Sequence, residues 1–257
     1  MGTWHGMRVR MRITIGITAG LLLAAATPSR ADRRTMIRAY EFQTQPKGNL
    51  ELELWNDVQA PRSAVTDSTI VTRVELEYGF TDRWDAALYH VFAQGGPAAE
   101  PQVQGFHFDS WRLESRYRLA EKGEWPVDVM VYGEVERPAD FNRPFEVEEK
   151  LILEKDYGLL AFVANLVGSQ HLFRADLGRT WEVDFGARYE FLPQVRAAVE
   201  FWTTHEFVGP DVSRNYYLGP SLSVATQRVW LQVGVGFGLD SSQDQQMLIR
   251  SVLGFNL

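Results

Sequence analysis

The stretch Ile70-Val71-Thr72-Arg73-Val74-Glu75-Leu76-Glu77-Tyr78-Gly79-Phe80 alternates between two chemistries. Successive side chains of a strand point to opposite faces, so Ile70, Val74, Leu76 and Tyr78 form an apolar face and Arg73, Glu75 and Glu77 a charged one. The pattern recurs on either side. Leu50, Leu52 and Leu54 oppose Glu51 and Glu53, and Trp111, Leu113 and Tyr117 oppose Arg112, Glu114, Arg116 and Arg118. Val127, Val129, Val131 and Val135 oppose Asp128, Glu134 and Glu136. Further on, Val183, Phe185 and Ala187 oppose Asp184 and Arg188, and Val195, Val199 and Phe201 oppose Arg196 and Glu200.

Twelve strands are expected, at 49–58, 68–79, 84–93, 105–119, 126–137, 145–155, 159–168, 180–191, 195–206, 215–225, 228–239 and 246–257. A tilted strand crosses a bilayer in about 9–11 residues, which these spans allow. Their connections alternate in length. Thr81-Asp82-Arg83, Asp156-Tyr157-Gly158, Leu192-Pro193-Gln194 and Ala225-Thr226-Gln227 are tight, and Ala120 to Trp125 is slightly longer. Residues 59–67, 93–104, 138–144, 169–179 and 207–214 read as long loops. Short turns on one side and long loops on the other mark a transmembrane antiparallel up-and-down β-barrel, an all-β fold with periplasmic turns. Met247, Ile249, Leu253, Phe255 and Leu257 alternate to the final residue, the form of a signal for the barrel-assembly machinery.

A soluble sandwich or lipocalin-like barrel would alternate in the same way, with its apolar face inward. A twelve-stranded soluble barrel would enclose a wide interior needing large side chains, yet the apolar face is mostly Val, Leu and Ala. Trp84, Trp125, Tyr157, Trp181, Phe191 and Tyr216 fall near strand ends, as interfacial girdles do.

The 257 residues are 45% hydrophobic and 12% aromatic, which excludes a disordered chain, and 23% charged, which is too much for a helical membrane bundle. The absence of cysteine excludes disulfides, thiolate metal sites and thiol nucleophiles. Arg8, Arg10 and Arg12, then an apolar run from Ile13 to Ala26 and Ser29-Arg30-Ala31, read as a secretory signal peptide over 1–31. Without Arg8, Arg10, Arg12 and Arg30, the 26 basic residues become 22 against 33 acids, a formal charge of -11. That balance opposes nucleic-acid binding. Residues 32–48 are expected as a periplasmic or lumen-entering segment, because counting Ile37 to Thr44 as a thirteenth strand would place one terminus outside the cell. The barrel then occupies 49–257.

Tyr40-Glu41-Phe42 through Pro46-Lys47-Gly48 and Glu51-Leu52-Glu53-Leu54-Trp55 resembles the start of many exported barrels. With Glu77-Tyr78-Gly79-Phe80-Thr81-Asp82-Arg83-Trp84, the chain resembles the phenol-degradation meta-pathway transporter-like family of outer-membrane proteins. The resemblance implies uptake of aromatic or hydrophobic compounds and carries over no binding residue.

The charged face is the candidate lumen lining. It includes Arg73, Glu75, Glu77, Arg112, Glu114 and Arg116, and continues through Arg118, Asp128, Glu134, Asp184, Arg188 and Glu200. If Arg118 faces Asp128, Arg112 falls opposite Glu134. Two readings stand: a salt-bridged filling that closes a narrow barrel, slightly favoured, and a polar conduit whose acidic bias selects cations. Ser169 or Ser213 with His171 or His205 could make a lipid-hydrolysing pair, but no nucleophile motif surrounds them. Glu148-Glu149 and Asp240 with Asp244 lack the spacing of a calcium loop, and nothing points to a cofactor or metal. Gly234 and Gly236 read as leaving room in the lumen. Phe106, Phe108, Phe141, Phe145, Phe173 and Phe207 lie where an apolar portal could form.

The expected function is a passive channel for small molecules. The alternatives are a structural or envelope-interaction barrel and, less favoured, a lipid-modifying enzyme. Expected partners are outer-membrane lipid and lipopolysaccharide, the assembly machinery and a small-molecule solute.

Overall fold

The computed structural model describes residues 33–61, 67–95, 105–172, 178–240 and 245–257. The expected signal peptide, Phe173 and Asp244 lie outside the described residues. Twelve strands follow one another: β1 (Leu50–Pro61), β2 (Thr69–Thr81), β3 (Trp84–Gln94), β4 (His107–Arg118), β5 (Asp128–Pro138) and β6 (Glu146–Tyr157). Then come β7 (Leu160–His171), β8 (Arg179–Leu192), β9 (Val195–Val208), β10 (Asp211–Ala225), β11 (Val229–Gly238) and β12 (Gln245–Asn256). Each pairs antiparallel with its sequence neighbours, and β1 pairs with β12 to close the barrel. Closure leaves no strand edge without hydrogen-bond partners, the condition for a sheet in lipid. No helix among the described residues is long and apolar enough to cross a membrane.

The alternation sorts the two faces. Leu76, Leu88, Leu113, Val199 and Leu231 are exposed on the outer wall, whereas Glu75, Glu77, Glu114, Glu200 and Gln232 are buried inside. Trp84, Trp125, Tyr157, Trp181 and Phe191 are exposed near strand ends. The core of this protein is its lumen. At the closing seam, Asp57 faces Arg250, and the guanidinium donates to both carboxylate oxygens at 2.6 Å.

Two expectations are corrected. The anticipated long loop at 207–214 is a tight hairpin, with β9 running to Val208 and β10 starting at Asp211. Gly209, at φ 57°, makes the turn. These strands continue as polar ladder, where apolar alternation gives no signal. Between β4 and β5 the register is two residues from the anticipated one: Arg118 pairs with Met130 and Arg112 with Glu136. Asp128 accepts the Gly123 amide at 2.6 Å, which binds it to the connecting turn instead of facing Arg118. A two-residue slip preserves the faces, and Arg112 still pairs with Glu134 at 3.2 Å and Glu136 at 2.8 Å. Met130, on the inner face, is fully buried against Phe42 and Ile152.

The β10–β11 ladder has an interruption. Leu218 pairs with Phe237 and Ser221 with Gly234 in one unbroken register, while Gly219 and Pro220 between them pair only on their other side, with Glu200 and Val199 of β9. Proline has no N–H to donate. A Cβ at Gly219 would lie 1.8 Å from the Val235 carbonyl oxygen, so only glycine fits here.

Candidate functional site: a lumen occupied by the N-terminal segment

All twelve candidate lining residues lie on the inner face. Glu75, Glu77, Glu114, Arg116, Asp128, Glu134, Asp184, Arg188 and Glu200 are buried there, and Arg73, Arg112 and Arg118 are partly so. Many are paired. Arg116 bonds Glu77 and Asp85, the latter at 2.7 Å. Arg73 reaches Asp57 at 2.9 Å, and Arg188 reaches Glu41 at 3.2 Å and Glu154 at 3.1 Å. Arg118 donates to the Asp82 carbonyl.

Residues 33–48 run inside this wall. The segment leaves β1 at the end of the barrel that carries the tight turns, where the Gly48 amide donates to the Gly79 carbonyl at 2.8 Å and the Gln45 amide to Asp85 at 2.8 Å. A Cβ at Gly79 would sit 2.2 Å from the Pro46 carbonyl oxygen, so glycine lets the segment pass. Deeper in, the Phe42 amide donates to Glu154 at 2.7 Å and the Tyr40 amide to Asn165 at 2.6 Å. The Asn165 amide returns a bond to the Tyr40 carbonyl at 3.0 Å. The amides of Ile37, Arg38 and Ala39 converge on the Glu200 carboxylate at 2.6, 2.8 and 3.0 Å. Arg250 donates to the Ile37 carbonyl, and Arg38 makes a two-pronged pair with Glu182. The chain then turns back: the Thr35 amide donates to Glu41 at 2.5 Å, and Arg33 approaches Glu190 at 3.8 Å.

Buried amides need acceptors. A strand finds them on its neighbour, whereas this segment finds them on inward carboxylates and an amide of four different strands. Ile37 to Thr44 is therefore not a strand despite its composition. Apolar contacts complete the fit. Met36 and Ala39 pack on Val163 and Ala198; Ile37 packs on Trp202, Tyr217 and Leu248; Phe42 packs on Met130, Tyr132 and Ile152. Gly234 and Gly236 make room as expected, since a Cβ would meet Ile37 Cγ2 at 2.5 Å and the Trp202 ring at 2.0 Å.

One end of the lumen keeps open space. A cavity of about 450 Å³ at the tight-turn mouth lies between Phe42–Thr44 and the turns, lined by Arg118, Lys122, Arg188 and Arg196 with Glu154, Asp156 and Glu190. Burial opposes the Lys122 charge, but Glu154 and Asp156 outweigh it and raise its pKa above the ordinary value. Toward the other end Arg38 is a third exposed, and Glu134, Glu136 and Glu148 stand around Arg112 and Lys150. Lys150 lies over the rings of Tyr40, 3.9 Å, and Tyr132, 4.3 Å.

The other candidate groups separate. Ser169 and His171 share the inner face of β7, His205 lies on the outer face of β9, and neither Ser169 nor Ser213 bonds a histidine among the described residues. Glu148 pairs with Lys150 at 2.8 Å inside, whereas Glu149 faces outward. Phe106 stacks on Phe92, Phe141 and Phe145 flank Arg137, and Phe207 lies under Arg179. Sequence reasoning missed Asn165. Its signal was a strand apolar on both faces, with Ala161, Val163 and Val167 inside and Phe162 and Leu166 outside. Such a strand has a packing partner on each side.

No family model and no curated protein sequence matches the chain. Among solved structures, it is similar to the COG4313 outer membrane channel from Pseudomonas putida F1, with a TM-score of 0.65 at 14% identity over 86% of this chain and 100% of that one. The KdgM porin matches with a TM-score of 0.57 at 10% identity, covering 80% of this chain and 99% of that one. The NanC porin matches with a TM-score of 0.57 at 11% identity, covering 80% of this chain and 100% of that one. At these identities the likeness is one of fold: the chain is a closed twelve-stranded barrel with the architecture of outer-membrane channels.

Proposed function

We propose that the protein is exported to the outer membrane and is a passive, non-enzymatic channel for small molecules, closed in this conformation by residues 33–48. The observation that carries this reading is the way the segment is held. The barrel closes through its own twelve strand pairs, and the segment contributes to none of them. It hangs on side chains, so it can shift without opening the sheet. A polar cavity lies beside it, and the likeness to outer-membrane channels supports the same reading.

One observation favours apolar cargo, as the family resemblance implies. The interrupted β10–β11 ladder is backed inside by Ile37, Trp202, Tyr217 and Leu248, with Trp202 and Tyr217 stacked 5.0 Å apart. An apolar solute that displaces the segment meets an apolar surface there.

Reconstitution in planar bilayers tests the proposal. The full mature chain is expected to conduct in rare, brief openings, and a variant lacking residues 33–46 to conduct continuously. A deletion variant that assembles, shown by heat-modifiable gel migration, yet neither conducts nor admits aromatic solutes into liposomes leaves the structural-barrel reading in its place.

A further inference from the structure

Glu149 stands on the outward side of β6, between Val147 and Leu151, where an unpaired carboxylate is costly. It forms no ion pair with a described residue. Its cross-strand neighbours are Gly133 on β5 and Gly168 on β7. A Cβ at Gly168 would lie 3.7 Å from Glu149 Oε1 and 3.6 Å from the Trp181 ring. The two glycines thus floor a notch in the outer wall, of about 350 Å³, walled by Val135, Val147 and Trp181. Arg179 and Gln170 line its extracellular end, directly across the β7–β8 ladder from each other.

The neighbourhood is cationic. Arg179 is exposed and lies over the Phe207 ring at 5.6 Å. Arg214 is exposed on the same face, across from His205, which itself pairs with Trp181. Neither arginine makes an ion pair with a described residue. An outward groove with an acceptor, an indole and one unpaired guanidinium, with a second on the same face two strands away, calls for one ligand with complementary parts. An acyl chain fills the groove, an amide beside that chain donates to Glu149, and a phosphate takes the planar guanidiniums. Phosphatidylglycerol-type lipids supply the phosphate but have no amide beside their acyl chains.

We propose that this notch binds lipopolysaccharide, the phosphorylated, amide-bearing glycolipid of the outer leaflet. The site lies on the opposite side of the wall from the lumen and does not rest on the channel reading.

The full mature chain, in phosphatidylcholine nanodiscs titrated with rough-type lipopolysaccharide, is read by native mass spectrometry. Wild type is expected to retain the glycolipid. Arg179→Ala with Arg214→Ala, Glu149→Leu, and Gly168→Leu, which fills the groove without changing charge, should each weaken retention about tenfold or more, the scale of one lost charged hydrogen bond. Heat-modifiable migration verifies assembly. The arginine pair is exposed, so its test stands even if Gly168→Leu fails to assemble. Undiminished retention by that pair, equal retention of phosphatidylglycerol, or dimers that form in place of lipid binding would each overturn the proposal. Conductance in glycolipid-free bilayers should be unchanged by these variants, which separates this outcome from failure of the channel reading.

Discussion

Glu200→Ala removes the acceptor for three consecutive amides of the lumen segment. Glu200 is 1% exposed, so water does not replace it while the segment stays in place. A buried donor left without a partner costs about 1–3 kcal/mol. Taking the lower bound for the amides of Ile37, Arg38 and Ala39, the seated state loses at least about 3 kcal/mol. At about 1.4 kcal/mol per factor of ten, the ratio of displaced to seated segment rises roughly a hundredfold or more. The barrel is spared, because the Glu200 backbone pairs with Gly186 and Gly219 independently of its side chain. Single-channel recording should show the time spent open rising by about two decades, with heat-modifiable migration unchanged. Glu200→Gln keeps a carbonyl acceptor and should fall between. If deletion of residues 33–46 opens the channel while Glu200→Ala stays as quiet as wild type, the anchoring argument is wrong.

Gly186→Leu should act in the same direction from the neighbouring strand β8, since its Cβ would lie 2.3 Å from Met36 Sδ; unchanged conductance in an assembled barrel would count against the fit described. Leu76→Arg places a charge in lipid and should cost about 2–4 kcal/mol near the midplane, whereas Thr204→Arg, on the inner face beyond Trp202, should assemble; equal yields of folded barrel would contradict the face assignment. Arg250→Ala strips Asp57 of one cation and the segment of one donor, and breaking a buried pair costs about 3–5 kcal/mol. It should lower the temperature at which the barrel unfolds in detergent, and an unchanged temperature would show that the closing seam does not depend on it.

The wall of this protein was legible and its filling was not, for one physical reason. A strand between lipid and lumen must alternate, so Ile70–Phe80 and its repeats declare their faces residue by residue. A segment inside the lumen has no such constraint. Its amides are met by Asp85, Glu154, Asn165 and Glu200, far away in sequence, and Ile37 to Thr44 therefore looks like a strand that never pairs. The same bonds change the meaning of the acidic excess. Glu75 accepts the Trp55 indole N–H at 2.8 Å, Glu77 holds Arg116, and Glu200 holds the segment, so these carboxylates are spent on structure. Counting them as pore charge overstates the attraction for cations. Glu134, Glu136 and Glu148 stand above the segment beside Arg112 and Lys150. If the open lumen prefers cations, replacing these three with glutamine should reduce the preference, while Glu75→Gln should weaken the barrel and leave selectivity as it was. A selectivity that follows Glu75 instead would mean that the segment, when it leaves, takes the inner hydrogen-bond network apart with it.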